Sequence, residues 1–232
     1  CTLVTGKLNI AAATIRSLVD AGLIEVTEEN VYRKPVLKSD LSGKDGAAKQ
    51  LSAEQQAVVD AISQDYSQGI SQTYLLRGIT GSGKTEVYMA LIERMIASGK
   101  QAIVLIPEIA LTYQTLLRFY LRFGDRVSVM NSRLSPGERS DQYERAAKGE
   151  IDSMIGPRSA LFTPFERLGL VIIDEEHESS YKSETMPKFH AREVAQELCR
   201  MKHASLLLGS ATPSLESYYR ARQGEIPLFT LN

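Results

Sequence analysis

At 232 residues, with 43% hydrophobic and 24% charged residues, the chain has an ordinary globular composition and room for one sizeable core plus a small module. Lys and Arg number 27 against 28 Asp and Glu, a formal charge of -1 that excludes a global basic field, so nucleic-acid contact would need a local patch. Cys1 and Cys199 make no metal-ligand spacing, no signal peptide or long apolar run points to a membrane, and the expectation is a cytoplasmic protein whose start at Cys rather than Met marks a piece of a longer one.

From the amino terminus, residues 8–20 carry Ile15, Leu18 and Val19 at helical spacing, and Gly22 ends the pattern. Residues 23–27 and 31–33 alternate like two strands joined through Glu28, Glu29 and Asn30. Helix then hairpin reads as the second half of a winged helix over 1–33. Its helix offers only Arg16 while its wing carries Glu25, Glu28 and Glu29, so DNA contact and a role as spacer or partner surface both stay open. Residues 34–50, rich in Gly, Ser, Asp and Lys, read as a linker.

A domain over 51–232 then opens with a helix N-capped by Ser52, with Gln55 three residues on in the capping-box arrangement and Val58, Val59 and Ile62 facing a core. Gln55 serves either that cap alone or the edge of an adenine, whose donor and acceptor pair an amide matches. Thr73 to Arg77 predicts a short buried strand, and Val87, Leu91 and Met95 predict a helix after it. Between them lies GITGSGKT, Gly78-Ile79-Thr80-Gly81-Ser82-Gly83-Lys84-Thr85, a complete G-x-x-x-x-G-K-[ST] phosphate loop at a strand-to-helix turn. Its glycines let successive N–H groups approach a polyphosphate, and the helix N-terminus adds partial positive charge. Lys84 supplies a mobile cation to the β- and γ-phosphates of ATP and Thr85 a ligand for Mg²⁺. A glycine-rich turn with a surface lysine is the plain alternative, and the flanking elements argue against it.

Beyond this loop, strand candidates at 102–106, 127–130, 153–155, 170–173 and 205–208 alternate with helical patterns at 112–123, 136–148, 190–201 and 214–223. That alternation predicts an α/β fold with a parallel sheet and helices on both faces. The apolar run from Leu168 ends in Asp174-Glu175-Glu176-His177, at the strand edge where open α/β sheets bind ligands. Asp174 is expected to hold Mg²⁺ through its water shell, and Glu175 to orient and deprotonate the attacking water. Three loops at carboxyl ends of strands, Pro107-Glu108 to Thr112, Gly156 to Arg158-Ser159, and Gly209-Ser210-Ala211-Thr212 to Ser214, offer hydroxyls, helix N-termini and an arginine. These groups suit a sugar-phosphate backbone.

Taken together, GITGSGKT, the DEEH box and GSATPS resemble superfamily 2 nucleic-acid motors with RecA-like lobes. LSPGER at 134–139, GPRSALF at 156–162 and the stretch from Asp174 to Ala195 are similar to replication-restart helicases of the PriA type, over residues 51–231. The resemblance implies ATP-driven 3′-to-5′ unwinding at stalled forks, with single-stranded and forked DNA, primosome proteins and single-strand binding protein as partners and nucleoid association. It also implies an aromatic-rich loop over 178–192, in which Ser180, Tyr181, Lys182, Lys188, Phe189, His190 and Arg192 meet or sense single-stranded DNA, and His177 links that loop to the γ-phosphate site. An ordinary loop with Tyr181 and Phe189 packed inward is the competing view. Asn131-Ser132 departs from the family's His-Ser. The family's second motor lobe with its arginine fingers and its zinc-binding cysteines have no counterpart in this sequence. A phosphate-loop kinase, another superfamily 2 translocase and an interaction module led by the winged helix are the rival readings.

Overall fold

The computed structural model describes residues 11–25 and 50–232, and the chain divides into two compact units, Cys1–Tyr32 and Arg33–Asn232, each taken by itself. In the first, α1 (Ala12–Asp20) ends where Gly22 takes φ 69. Gly22 N–H donates to Val19 O at 2.9 Å and Leu23 N–H to Leu18 O at 3.0 Å, the paired closure that only a left-handed residue allows. Residues 23–25 form no strand, and the rest of the expected hairpin and the linker to residue 49 lie outside the described residues.

The second unit is a seven-stranded sheet in the order β3-β4-β2-β5-β6-β1-β7. Its strands are β1 (Thr73–Gly78), β2 (Gln101–Leu105), β3 (Val127–Val129), β4 (Ser153–Gly156), β5 (Leu168–Asp174), β6 (Ser205–Ser210) and β7 (Leu228–Leu231), and all pair in parallel. The helices between them are α2 (Ala53–Ser67), α3 (Lys84–Ala97), α4 (Tyr113–Phe123), α5 (Pro136–Ala147), α6 (Ala191–Lys202) and α7 (Leu215–Arg222). Alternate strand residues feed two cores. Tyr74, Leu76, Val104, Ile172 and Leu207 pack with α2, α3 and α4 on one face, while Leu75, Ile103, Leu105, Ile173 and Leu208 pack with α5 and α6 on the other.

Most elements fall within a residue or two of expectation. The exception is β7, an edge strand beside β1 that the apolar pattern did not announce. It follows Pro227, whose carbonyl accepts from Leu75 N–H at 2.9 Å. The order also places β6 between β1 and β5, so the phosphate loop and the Asp174 segment stand on strand tips one strand apart.

Candidate nucleotide and nucleic-acid site

Lys84 opens α3, with Gly83 as N-cap at φ 87. A side chain at Gly83 would be strained at that φ, and its Cβ would lie 2.2 Å from Gln55 Nε2. Gln55 occupies that space with both amide ends committed: Oε1 accepts from Ser52 N–H at 2.9 Å, closing the capping box of α2, and Nε2 donates to Ser82 O at 2.9 Å. Gln55 is thus cap partner and phosphate-loop brace at once, with the second N–H of Nε2 and the second lone pair of Oε1 still unused.

Ile79, Thr80, Gly81, Gly83, Lys84 and Thr85 line a cleft of about 370 Å³ together with Asp174 and Glu175. The buried Lys84 Nζ donates to Gly78 O at 2.8 Å and stands 3.5 Å from Glu175 Oε1. Asp174 Oδ1 accepts from the Tyr88 hydroxyl at 2.9 Å. That bond crosses β6 at Gly209, where a Cβ would sit 1.8 Å from the Tyr88 oxygen. Burial pushes the Asp174 carboxyl above its ordinary value, against the pull of the Tyr88 hydrogen bond and the Lys84 charge. For a hard divalent cation the donor chemistry fits, since Thr85 and Asp174 offer only oxygens beside a lysine suited to phosphate. The cleft also takes in Glu86 and Arg118, which pair at 2.7 Å on its flank; neither stood out in the sequence, because Arg118 comes from a different helix.

His177 Nδ1 lies 2.7 Å from Ser210 Oγ and 3.7 Å from Glu175 Oε2, and Nε2 lies 3.4 Å from Thr212 Oγ1. The loop carrying Ser210, Ala211 and Thr212 therefore meets the DEEH segment rather than the other two loops. Those two come together elsewhere on the same sheet edge. Pro107, Glu108, Arg158, Ser159, Ser180 and Tyr181 line a second cleft of about 320 Å³ with Asn131, Ser132 and Arg139. Arg158 Nη1 donates to Ser180 O at 2.9 Å and Lys182 O at 2.7 Å, which ties the loop after β4 to the loop after β5.

The expectation of Tyr181 stacking on a base needs correction, and several of the other predicted residues have partners within the fold. Tyr181 is 1% exposed, and its hydroxyl donates to Asp174 O at 2.6 Å and Leu105 O at 3.1 Å, so its ring packs in the core and offers no face to a base. The inward-packing alternative holds for Tyr181, because a phenol of this length bridges the ends of β2 and β5. Arg192 is not a solvent cation: its guanidinium pairs with Glu176 at 3.0 Å. His190 Nδ1 accepts from Arg192 N–H at 3.2 Å as the N-cap of α6, and burial lowers its affinity for a proton. Thr112 likewise caps α4 through Thr115 N–H at 3.2 Å. Phe189 stays half-buried, edge-on to the exposed Phe162 with ring centroids 5.6 Å apart, while Lys182 and Lys188 are exposed. Glu176 and Arg139 were missed as individual residues, since nothing in their spacing distinguishes them from surface charges.

Residues 52–221 match the family model described as DEAD/DEAH box helicase. The chain is 46% identical over 225 residues to the replication restart protein PriA of Bacillus subtilis, covering 97% of this chain and 28% of that protein. With the PriA of Chlamydia pneumoniae it shares 43% identity over 219 residues, covering 94% of this chain and 28% of that one. The chain thus spans under a third of the length of these relatives. Among solved structures, RecG bound to a three-way DNA junction superposes with a TM-score of 0.59 at 25% identity, over 80% of this chain and 24% of RecG. The Pyrococcus furiosus Hef helicase domain does so at 0.53 and 18%, over 84% of this chain and 39% of that one, a likeness of fold. With a family model covering the phosphate loop, the DEEH segment and the serine-threonine loop, the chain belongs to the DEAD/DEAH box helicase family.

Proposed function

We propose that residues 51–232 form the ATP-binding lobe of a replication-restart DNA helicase that unwinds 3′ to 5′ at stalled forks. In this reading residues 1–33 form a partial winged helix and 34–50 a linker. The observation that carries it is the shared cleft: the phosphate loop and Asp174-Glu175 face one space, with Lys84 Nζ 3.5 Å from Glu175. Lys84 and the N–H groups at the start of α3 bind the triphosphate. Glu175 takes a proton from water as it attacks the γ-phosphorus, and the bond to the ADP oxygen breaks. When bound, Mg²⁺ supplies charge neutralisation on the phosphate oxygens, with Thr85 and Asp174 as its protein oxygens. His177, between Glu175 and the Ser210-Thr212 loop, relays the state of that loop.

The second cleft is the single-strand track in this proposal. Arg158, Ser159 and Ser180 meet phosphates there without reading sequence, and Lys182, Lys188 and Phe189 extend the contact. Tyr181 and Arg158 connect it mechanically to Asp174. Forked DNA, primosome proteins and single-strand binding protein are the proposed partners of the full natural protein, near the nucleoid, with zinc bound by parts of it beyond these residues. Steady-state ATPase of that full protein tests the reading: single-stranded DNA should raise the rate, and Glu175→Gln should lower kcat by ~10²–10⁴-fold, the usual worth of a general base. Lys84→Ala should remove hydrolysis altogether. Phosphate transfer to an acceptor other than water, indifferent to DNA, would establish a kinase instead.

A further inference from the structure

Glu176 belongs to the DEEH segment yet does not line the nucleotide cleft. Its side chain is 0% exposed, and its carboxylate accepts from Ser214 N–H at 2.6 Å, Ser214 Oγ at 3.1 Å, Ser217 Oγ at 3.1 Å and Arg192 Nη1 at 3.0 Å. The donors come from the start of α6 and the start of α7. Its own N–H donates to Gly209 O on β6 at 3.0 Å. A buried carboxylate with one cationic partner and three further donors has one low-energy position, because any shift strands both charges without partners.

The residue just before it is the one under strain. Glu175 has φ 47, a left-handed conformation that side-chain-bearing residues adopt only where their surroundings over-determine it. Part of that determination is local, since Glu178 N–H closes the turn on Glu175 O at 2.9 Å. The rest must come from what anchors the following residue.

We propose that Glu176, with Arg192 as its counter-charge, is the positioning residue that holds the Glu175 backbone in its left-handed turn and so keeps the Glu175 carboxylate facing Lys84 and the cleft. This rests on Glu175 being the general base of the proposed function. Arg192 then acts through Glu176 on hydrolysis and does not touch nucleic acid.

The test is steady-state ATPase of the full natural protein at saturating single-stranded DNA, alongside nucleotide and DNA affinities. Glu176→Gln keeps the shape but removes the charge and turns two acceptor positions toward donors. It should lower kcat by ~10- to 100-fold, the scale of a misplaced reacting group, with KM for ATP and Kd for DNA within about twofold. Arg192→Ala should do the same, and Arg192→Lys should restore part of kcat. Should Glu176→Gln fail to fold, Ser217→Ala, which removes one donor, should still lower kcat at unchanged KM. Unchanged kcat with a lowered melting temperature would make the tie purely structural and overturn the proposal. So would Arg192→Ala weakening DNA binding while sparing kcat. A wild-type protein without DNA-stimulated ATPase sinks both this proposal and the function beneath it, whereas an active one indifferent to Glu176→Gln sinks only this.

Discussion

Asp174 ends a strand buried on both faces, and it holds a carboxylate where the protein without nucleotide gains little from one. Burial raises its affinity for a proton, with the nearby Glu175 charge adding to the effect and Tyr88 and Lys84 opposing it. The folded chain therefore binds more protons than the unfolded chain between the ordinary aspartate value and the raised one, and stability falls as pH rises through that window. Asp174→Asn should consequently be more stable than the wild type at pH 7 in urea titrations without nucleotide. The gap should vanish below pH about 4, where both side chains are neutral. Hydrolysis should be lost throughout. Tyr181 presents the opposite case. Its ring fills core and its hydroxyl ties two strand ends, so Tyr181→Ala should cost ~3–5 kcal/mol in the same titration. Tyr181→Phe separates the roles: its urea midpoint should stay nearer the wild type, and any change in DNA stimulation then reports on the hydroxyl.

At the scale of elements, the helix starts carry the site. Ser52 and Gln55 cap α2, and the same Gln55 braces Ser82 beneath the phosphate loop. Ser135 and Glu138 form a second capping box at α5, and Thr112, His190 and Ser214 cap α4, α6 and α7. Ser52→Ala should lower stability by ~1 kcal/mol, as lost N-caps do. Ser52→Ala leaves the Ser52 N–H that holds the Gln55 amide, so nucleotide affinity measured by calorimetry should stay near the wild type there and in Ser135→Ala, whereas Gln55→Ala, which removes the brace on Ser82, should lower it. The capping box of α2 was legible from Ser-x-x-Gln alone, since its partners lie three residues apart, while that of α5 was not singled out. The brace from Gln55 to Ser82 was not legible, because it joins residues 27 apart in the chain. β7 escaped notice for a related reason: its pairing with β1 is a property of the sheet.

For the whole molecule, the parallel sheet sets two clefts on one edge. The tips of β1 and β5 flank the nucleotide cleft, and the loops after β3, β4 and β2 form the other, with Tyr181 and Asp174 at the boundary. A ligand seated against Arg158 would press on the Ser180–Lys182 loop, and so on the strand end that carries Asp174. Phosphoryl transfer is mostly positioning and charge neutralisation, and an arginine contributed from elsewhere is worth ~10³–10⁵ in rate. The 232-residue chain should therefore bind Mg-ATP in calorimetry yet release phosphate slowly, with or without DNA. Turnover matching that of a complete PriA relative would show that these residues need no outside arginine.

The amino-acid order alone determined the parallel α/β class and most strand and helix positions, and it singled out GITGSGKT and the Asp174-Glu175 pair that line one cleft. Each of those is written in spacing along the chain, through period, caps and short-range turn geometry. Tertiary structure decided which charges face a ligand and which face one another. Arg192 at the start of α6 and Arg158 after β4 are the same residue type, yet one is locked on Glu176 and the other lines a cleft. Tyr181 turned inward because the distance between the β2 and β5 carbonyls suits its hydroxyl, and Tyr88 reached Asp174 because Gly209 leaves the path open. Burial and pairing depend on which segments the sheet order brings side by side, and strand order is set by the energy of the assembled core rather than by any local signal.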